Sequence, residues 1–254
     1  MVGIGLDIGS TASKGVLIKN DHKHYCEIMP TGWSPRDAAG QLIEKLLDNA
    51  GLDRSDINRI YATGYGRIAI SDVDKTLTEI KCHARGVSIL HPEVRTIIDI
   101  GGQDSKVIKV NENGQVVDFA MNDKCAAGTG RFLQVTANAL GMDVSELAFA
   151  EDRSQIISIN SMCTVFAESE IIGLIAGGIS RNGVIAGLHQ SVGKRVAAMA
   201  RRLGIQEKVA FTGGVAINNG VRRALGEELG CEIIIPDLCQ YTGALGAALL
   251  ACEQ

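Results

Sequence analysis

The sequence has 254 residues, of which 46% are hydrophobic and 21% charged, and its formal net charge is −4. This composition is typical of a folded globular protein, and the slight negative charge argues against nucleic acid or an anionic membrane as the main partner. No apolar run approaches the roughly 20 residues that span a bilayer. The N-terminal MVGIGLDIGS lacks the basic region and cleavage site of a secretory signal, so we expect a cytoplasmic protein without a membrane segment.

The predicted elements of the first half alternate between strands and helices. LDIGSTASKGVLI (6–18) consists of an apolar strand, an Asp-x-Gly turn and a second apolar strand, which predicts a β-hairpin. SPRDAAGQLIEKLLDNAG has helical apolar spacing, with Ser34 as the N-cap and Pro35 in the first helical position. A strand, IYATGYG, and a helix over residues 76–90 follow.

The second half continues the α/β pattern. Residues 94–120 contain three apolar strands separated by Gly or Asn turns, and residues 181–203 form a long helix. VAFTGGVAINNGVRRAL predicts a strand, a glycine turn and a helix, CEIIIP a further strand, and QYTGALGAALLA a helix of small residues. No Pro- or Ser-rich linker interrupts the chain, and we place a lobe boundary near residue 94.

An internal repeat organises these elements. Residues 98–110, IDIGGQDSKVIKV, align without a gap with residues 6–18, and AFTGGVA more weakly repeats IYATGYG. Two related lobes explain the repeat, and their Asp-x-Gly turns can then face one cleft. Glycines let backbone N–H groups approach phosphate oxygens, hydroxyls and lysines add donors, and aspartates suit Mg²⁺ or an attacking water. The alternative is a pair of ordinary hairpins with glycine turns.

Seven cysteines are present, without any C-x-x-C pair, so zinc-ribbon and two-cluster ferredoxin patterns are absent. In a cytoplasmic chain such cysteines are more often free thiols or metal ligands than disulfides. Cys125 and Cys163 each precede a predicted helix, and Ala126, Ala127 and Gly128 follow the first of them. A helix N-terminus stabilises an anionic thiolate group. We therefore expect free N–H groups at both helix starts, with Glu168 and Glu170 opening the second helix.

The motifs resemble those of a known group of ATPases. DIGSTASKG, DIGGQDSK and FTGGVA resemble the two phosphate motifs and the adenosine motif of the sugar kinase, Hsp70 and actin superfamily. MNDKCAAGTGRF and SMCTVFAESE are similar to the signature of the ATP-dependent activators of 2-hydroxyacyl-CoA dehydratases. The wider group includes benzoyl-CoA reductase ATPase subunits and reductases of double-cubane cluster proteins.

The resemblance implies an α/β, two-lobed, actin-like ATPase fold with duplicated ribonuclease-H-like lobes. We assign residues 1–94 and 240–254 to the first lobe, and residues 95–239 to the second, which carries the cluster cysteines and the dimer interface. The implied function is an ATP hydrolase coupled to low-potential one-electron transfer. The implied assembly is a homodimer with one bridging [4Fe-4S] cluster, to which each chain supplies Cys125 and Cys163. A ferredoxin or flavodoxin is the implied donor, and a 2-hydroxyacyl-CoA dehydratase the favoured acceptor.

Carried onto this chain, the resemblance also implies the nucleotide site. Asp7 and Asp99 are assigned to hydrated Mg²⁺, and Gln103 or Asp104 to the attacking water. The residues assigned to ATP or ADP are Gly9, Ser10, Thr11, Ala12, Ser13, Lys14, Gly101, Gly102, Gly128, Gly130, Gly213, Gly214, Val215, Asn218 and Gly243.

Other functions stay open at this stage. A benzoyl-CoA-type reductase or a double-cubane cluster protein is an alternative acceptor, and zinc bound by the same four thiolates is an alternative metal. A small-molecule kinase of the same fold would phosphorylate an added substrate, although the chain is short for that class. A filament-forming ATPase would associate beyond a dimer.

Overall fold

The fold comprises two five-stranded sheets and the helices that connect their strands. The structure, a computed structural model, describes residues 1–19, 23–159, 163–206 and 208–253. Within these ranges the strands are β1 (Gly3–Ile8), β2 (Ala12–Ile18), β3 (His24–Pro30), β4 (Arg59–Thr63), β5 (Lys75–Thr76), β6 (Thr96–Ile100), β7 (Ser105–Val110), β8 (Val116–Asn122), β9 (Val209–Thr212) and β10 (Ile233–Ile234). The helices are α1 (Pro35–Ala50), α2 (Glu79–Leu90), α3 (Gly130–Ala139), α4 (Thr164–Ala176), α5 (Arg181–Leu203), α6 (Asn219–Leu229) and α7 (Thr242–Cys252).

The two sheets share one topology. Their strand orders are β3-β2-β1-β4-β5 and, starting from the opposite edge, β8-β7-β6-β9-β10, so each strand of the second sheet is numbered five higher than its counterpart. β1 pairs antiparallel with β2 and parallel with β4, and Asp7 lies opposite Lys14. The repeat found in the sequence is therefore a repeat of strand order, and the predicted hairpin over residues 6–18 is confirmed.

Local sequence signals account for the ends of α1. Ser34 accepts a hydrogen bond from the backbone N–H of Asp37, and Pro35 occupies the first helical position, as predicted. Gly51 ends the helix in the left-handed region, at φ +61°. Buried residues of α1 pack with those of β1 in a core that contains Leu6 and Leu42.

The chain divides into two compact units. The first contains residues 1–97, 108–118 and 236–254, and the second contains residues 98–107 and 119–235. The lobe boundaries expected from the sequence stay a prediction. No helix in the described ranges is both long enough and apolar enough to cross a membrane.

Within the first unit, the backbone of α7 packs directly against the backbones of α2 and β1. A side-chain carbon on Gly246 would lie 1.8 Å from the carbonyl oxygen of Cys82 in α2, and one on Gly5 would lie 2.0 Å from the carbonyl oxygen of Ala244. These glycines allow α7 to contact β1 and α2 directly. The small-residue composition of GALGAALLA is thus a packing requirement.

We predict opposite effects for two helical glycine substitutions. Gly246→Ala would force the backbone of α7 away from α2, and we expect it to lower the free energy of unfolding by about 1–3 kcal/mol or more. Gly40→Ala in α1 meets no atom within 4 Å and should stabilise the chain by roughly 0.5–1 kcal/mol, because alanine favours the helix. Urea unfolding of both variants tests the difference. Equal midpoints would contradict the packing argument.

Candidate functional site

Hydrogen bonds of Thr31 close the first Asp-x-Gly turn, and the side chains of Ser10 and Thr11 remain accessible. Thr31 donates its hydroxyl to the carbonyl of Gly9 over 2.7 Å and lies 2.8 Å from the hydroxyl of Ser13, which is fully buried. Ser10 is half-buried and Thr11 is exposed. Of the turn hydroxyls, those of Ser10 and Thr11 are therefore available to a ligand, whereas that of Ser13 supports the turn.

Asp7 lies close to two groups in addition to Lys14. Its Oδ2 atom is 3.9 Å from Lys14 Nζ. A side-chain carbon on Gly243 would lie 3.1 Å both from Asp7 Oδ2 and from His83 Nε2, so the missing side chain leaves space for the carboxylate and the imidazole. His83 Nδ1 lies 2.9 Å from the hydroxyl of Thr242. No role was predicted for His83 from the sequence, because its place near Asp7 depends on the packing of α2 against α7.

Two glycines with positive φ hold the same place in the two units. Gly64 has φ +87° and Gly213 has φ +91°. Side-chain carbons on them would lie 2.7 Å from Asp7 Oδ1 and 2.9 Å from Asp99 Oδ1, respectively. Each would also lie within 2.4 Å of the carbonyl oxygen of the residue that follows that aspartate. The weaker sequence repeat, Thr-Gly after a strand, thus marks the position where a second strand ends against the aspartate of each unit.

Asp99 differs from Asp7 in sharing one buried lysine with a second carboxylate. Thr212 donates its hydroxyl to Asp99 Oδ1 over 2.9 Å, and Lys106 Nζ lies 3.4 Å from Asp99 Oδ2 and 2.7 Å from Asp104 Oδ2. None of these residues is more than 4% exposed. The buried set of one cation and two carboxylates carries a net charge of −1. Gln103, in contrast, is exposed.

The second turn makes direct contact with the start of α3. The backbone N–H groups of Gly130 and Arg131 donate to the carbonyls of Gly101 and Gly102 over 2.8 and 2.7 Å. These N–H groups belong to the first turn of the helix that follows Cys125. The expectation that they are free to stabilise a thiolate is wrong, because they bind the turn instead.

The segment FTGGVA, which resembles an adenosine motif, also lies against the start of α3. A side-chain carbon on Gly130 would lie 3.4 Å from Val215 Cγ2. Gly214 is exposed, whereas Asn218 is buried and accepts a hydrogen bond from the N–H of Val221, which caps α6. The structure thus brings together the second turn, the start of α3 and the adenosine motif. The individual ligand roles assigned from the sequence stay predictions.

Cys125 lies in a turn that an asparagine organises. Asn122 Oδ1 accepts from the N–H of Cys125 over 3.2 Å, and its Nδ2 donates to the carbonyls of Cys125 and Ala127 over 2.8 and 3.3 Å. Gly128 follows at φ +86°, beside Arg195 of α5. Cys125 itself is exposed. The sequence analysis missed Asn122, although its place three residues before the cysteine is a recognisable turn signal.

Cys163 occupies the N-cap position of α4. It is exposed, and its carbonyl accepts from the N–H of Ala167 over 2.8 Å. The helix-terminus argument therefore applies to this cysteine. Glu168 and Glu170 lie beyond the first turn, which contains no acidic residue. Their expected position at the start of the helix is wrong, because the helix begins at Thr164.

All seven cysteines lie in the described ranges, and only Cys125 and Cys163 are exposed. Burial, with a smaller contribution from Glu27, raises the pKa of the Cys26 thiol to about 11. Burial also raises the pKa of Cys82 to about 12 and that of Cys252 above its usual value. Burial thus disfavours the thiolate form in all three. No group of three or more His, Cys, Asp or Glu residues in the described chain is placed to hold a metal ion.

We predict that Lys106 is required for stability. Lys106→Met removes the cation that pairs with Asp99 and Asp104, and loss of one partner from a buried ion pair costs about 3–5 kcal/mol. The double variant Lys106→Met with Asp104→Asn removes one of the carboxylates as well and should regain part of that loss. Urea unfolding measures both. A single variant as stable as the parent would show that the two carboxylates do not need the lysine.

Several known proteins are similar to this chain over its whole length. A 2-hydroxyisocaproyl-CoA dehydratase activator of Clostridioides difficile is 50% identical over 255 residues, covering 100% of this chain and 96% of that protein. The solved structure of such an activator from Clostridium difficile, with bound ADPNP, superposes with a TM-score of 0.94 and covers 100% of this chain and 95% of that one. That of the Acidaminococcus fermentans (R)-2-hydroxyglutaryl-CoA dehydratase component A has 47% identity, a TM-score of 0.95 and coverage of 100% and 98%.

A more distant neighbour identifies the fold. A ROK family glucokinase of Streptomyces griseus, in complex with glucose and AMPPNP, is 15% identical, with a TM-score of 0.57 and full coverage of both chains. This likeness extends to the fold alone. With the two activator structures, it confirms the α/β, actin-like ATPase fold class that the motif resemblance implied. Residues 4–251 match the BadF/BadG/BcrA/BcrD ATPase family. The chain therefore belongs to the BadF/BadG/BcrA/BcrD ATPase family.

Proposed function

We propose that this protein is an ATP-dependent electron-transfer activator. As a homodimer with a bridging [4Fe-4S] cluster, it couples ATP hydrolysis to low-potential one-electron transfer to a 2-hydroxyacyl-CoA dehydratase. The observation that carries the proposal is the contact between the second phosphate turn and the start of α3, the helix that follows the exposed Cys125. Through this contact, a nucleotide bound at the turn can influence the position of Cys125, a proposed cluster ligand. The names of the full-length relatives, which are dehydratase activators, agree with this function.

The exposed side chains of the turns support an ATP- and Mg²⁺-binding role. Ser10 and Thr11, with Lys14 close by, suit the terminal phosphates, and the carboxylate of Asp7 suits hydrated Mg²⁺. We assign Gln103 to the attacking water, because Gln103 is exposed whereas Asp104 pairs with a buried lysine. Gly213, Gly214, Val215 and Asn218 border the adenosine. ADPNP bound to a relative supports nucleotide binding.

The cysteine chemistry fits an iron–sulfur cluster shared by two chains. A [4Fe-4S] cluster takes four thiolates, and this chain exposes two cysteines, both at helix starts or turns. When bound, the cluster supplies a one-electron carrier. Cys125 and Cys163 hold it, the turn made by Asn122 fixes the first ligand, and the start of α4 favours the anionic form of the second. Because four thiolates need two chains, a homodimer in which each chain supplies Cys125 and Cys163 would hold one cluster.

The surface of α4 supports a homodimer. Most residues of this helix are apolar, yet only Ala167 and Ile171 are buried among its described residues. Val165 and Phe166, directly after Cys163, are 68% and 69% exposed. An apolar face of this kind is typical of a protein interface. Its continuity with a cluster ligand favours a second copy of this chain as its partner.

Coupling requires that ATP and ADP bind two conformations with different affinities. The hydrogen bonds between Gly101, Gly102 and the first turn of α3 are rigid backbone links, so a shift of the turn moves the helix. A change in the position or angle of α3 then alters the surroundings of Cys125. Hydrogen bonds and solvent exposure at the sulfurs set the reduction potential of such a cluster.

The partners follow from this function. The donor is a reduced ferredoxin or flavodoxin, and the acceptor is an iron–sulfur protein. We favour a 2-hydroxyacyl-CoA dehydratase over a double-cubane cluster protein or a benzoyl-CoA-type reductase, since three of the relatives are dehydratase activators, at 45–50% identity. A relative from the benzoyl-CoA reductase of Thauera aromatica is 32% identical. We place the protein in the cytoplasm of an anaerobic cell.

We predict about two iron and two acid-labile sulfide atoms per chain in protein purified without oxygen, with the mass of a dimer. Cys125→Ala and Cys163→Ala should each abolish the iron, while nucleotide affinity is kept. Cys26→Ala, which removes a thiol of raised pKa, is the matched control and should retain the iron. Iron that survives either ligand substitution would overturn the ligand assignment, and zinc in its place would overturn the redox function.

We predict that Asp7→Asn and Asp99→Asn suppress ATP hydrolysis. The Asp7 carboxylate would hold hydrated Mg²⁺ beside the terminal phosphates, and loss of such an electrostatic group typically costs about 100-fold or more in rate. Phosphate release measures the effect, and Asp37→Asn, on the exposed start of α1, is the control. An unchanged rate in either variant would remove that aspartate from the catalytic residues.

A further inference from the structure

His83 is a buried side chain of the first unit to which the proposed function gives no role. It lies in the second turn of α2 and is 4% exposed. Its Nδ1 atom lies 2.9 Å from the hydroxyl of Thr242, the first residue of α7, which is itself fully buried. Buried polar side-chain atoms in folded proteins usually have hydrogen-bond partners. The Thr242 hydroxyl accounts for one ring nitrogen, and the position of the other, Nε2, indicates what it serves.

The second ring nitrogen and the carboxylate of Asp7 border the same small space. A side-chain carbon on Gly243 would lie 3.1 Å from His83 Nε2 and 3.1 Å from Asp7 Oδ2. Asp7 is 7% exposed, and Lys14 Nζ lies 3.9 Å from the same carboxylate oxygen. An ionised carboxylate only accepts hydrogen bonds. The tautomer of His83 that suits this arrangement therefore carries its proton on Nε2 and accepts the Thr242 hydroxyl at Nδ1.

Two backbone contacts between α2 and α7 support the imidazole in this place. A side-chain carbon on Gly246 of α7 would lie 1.8 Å from the carbonyl oxygen of Cys82. One on Gly86 of α2 would lie 2.1 Å from the carbonyl oxygen of Thr242. The two helices therefore touch backbone to backbone at residues before and after His83. Packed helices of this kind are the support that a residue with a positioning role needs.

We propose that His83 is a positioning residue for Asp7 and holds its carboxylate in the orientation that binds hydrated Mg²⁺. The inference rests on the proposed function, in which Asp7 serves Mg²⁺ at the terminal phosphates. The donor chemistry fits this ion, because Mg²⁺ prefers oxygen ligands and is commonly held through one or two carboxylates. The imidazole is not a ligand of the ion. It acts on the carboxylate, as hydrogen-bonding partners of ligating carboxylates do in other metal sites.

A histidine with a purely structural role would have a different signature. Loss of its packing would lower stability and disturb nucleotide binding whether or not Mg²⁺ is present. Loss of a positioning contact weakens only the part of the affinity that depends on the metal, because the contacts of the chain with the nucleotide itself remain. The ratio of the ADP affinities with and without Mg²⁺ therefore distinguishes the two roles.

The test measures the dissociation constant of ADP by titration calorimetry in anaerobically purified, full-length protein, with Mg²⁺ and with EDTA. In His83→Ala we expect the affinity with Mg²⁺ to fall by about 10- to 100-fold, the range for loss of such outer partners, and the affinity in EDTA to keep its parental value. The Mg²⁺ concentration for half-maximal ATP hydrolysis should rise by a similar factor, with a smaller change in the rate at saturating Mg²⁺. His83→Gln, whose amide can donate from near the position of Nε2, should recover part of both losses.

Two further variants complete the comparison. Thr242→Val removes the hydroxyl that orients the ring and keeps the branched shape of the side chain, so it should weaken Mg²⁺-dependent binding in the same direction but by less. His91→Gln is the matched control. His91 lies directly after α2, and its partly exposed ring is 3.3 Å from Glu93 Oε1, so the variant should behave as the parent.

The outcomes separate this proposal from the proposed function. Parental Mg²⁺ dependence in both His83→Ala and Thr242→Val overturns the positioning role. Equal losses of ADP affinity with and without Mg²⁺ in His83→Ala also overturn it, since they indicate a structural role. Absence of iron from the parent protein overturns the proposed electron transfer instead, and it leaves the ADP measurement valid because that measurement needs no cluster.

Discussion

The contact on which the functional argument depends is made of two backbone hydrogen bonds. The first N–H groups of α3 donate to the carbonyls of Gly101 and Gly102, so the start of this helix is bound to the second phosphate turn. Backbone groups offer no rotamer freedom, and the missing side chain of Gly130 allows the close approach. The turn and the helix are therefore joined without an intervening side chain. The exposed Cys125 lies five residues before that helix, in a turn closed by Asn122.

The two units share a strand order but use their aspartates differently. In the first unit, Asp7 lies beside Lys14, His83 and a glycine that leaves space, with 7% of its surface still exposed. In the second unit, Lys106 neutralises part of the charge of Asp99 and Asp104, and all three are more deeply buried. The repeated sequence therefore places its first aspartate near one lysine at 3.9 Å, and its second in a buried set with a lysine and a further carboxylate.

Much of the fold was predictable from local patterns. The hairpin over residues 6–18, the caps of α1 and the long helix α5 follow from periodicity, an N-cap serine and glycine at a helix end, all of which act over a few residues. The expected free N–H groups at the start of α3 were wrong because their acceptors lie almost thirty residues earlier in the chain. The glutamates of α4 were misplaced because the helix begins at Thr164, next to the cysteine itself.

The sequence by itself determined the α/β class and the duplication, because strand and helix periodicity and the repeated Asp-x-Gly hairpin are local patterns. The tertiary structure decided which charges are neutralised and which side chains stay open to a ligand. Three examples bring together residues that are distant in sequence: His83 near Asp7, Thr212 on Asp99, and Glu151 between the helices α5 and α6. Such contacts have no local signal, because burial and partner choice arise only when separate helices and strands pack together.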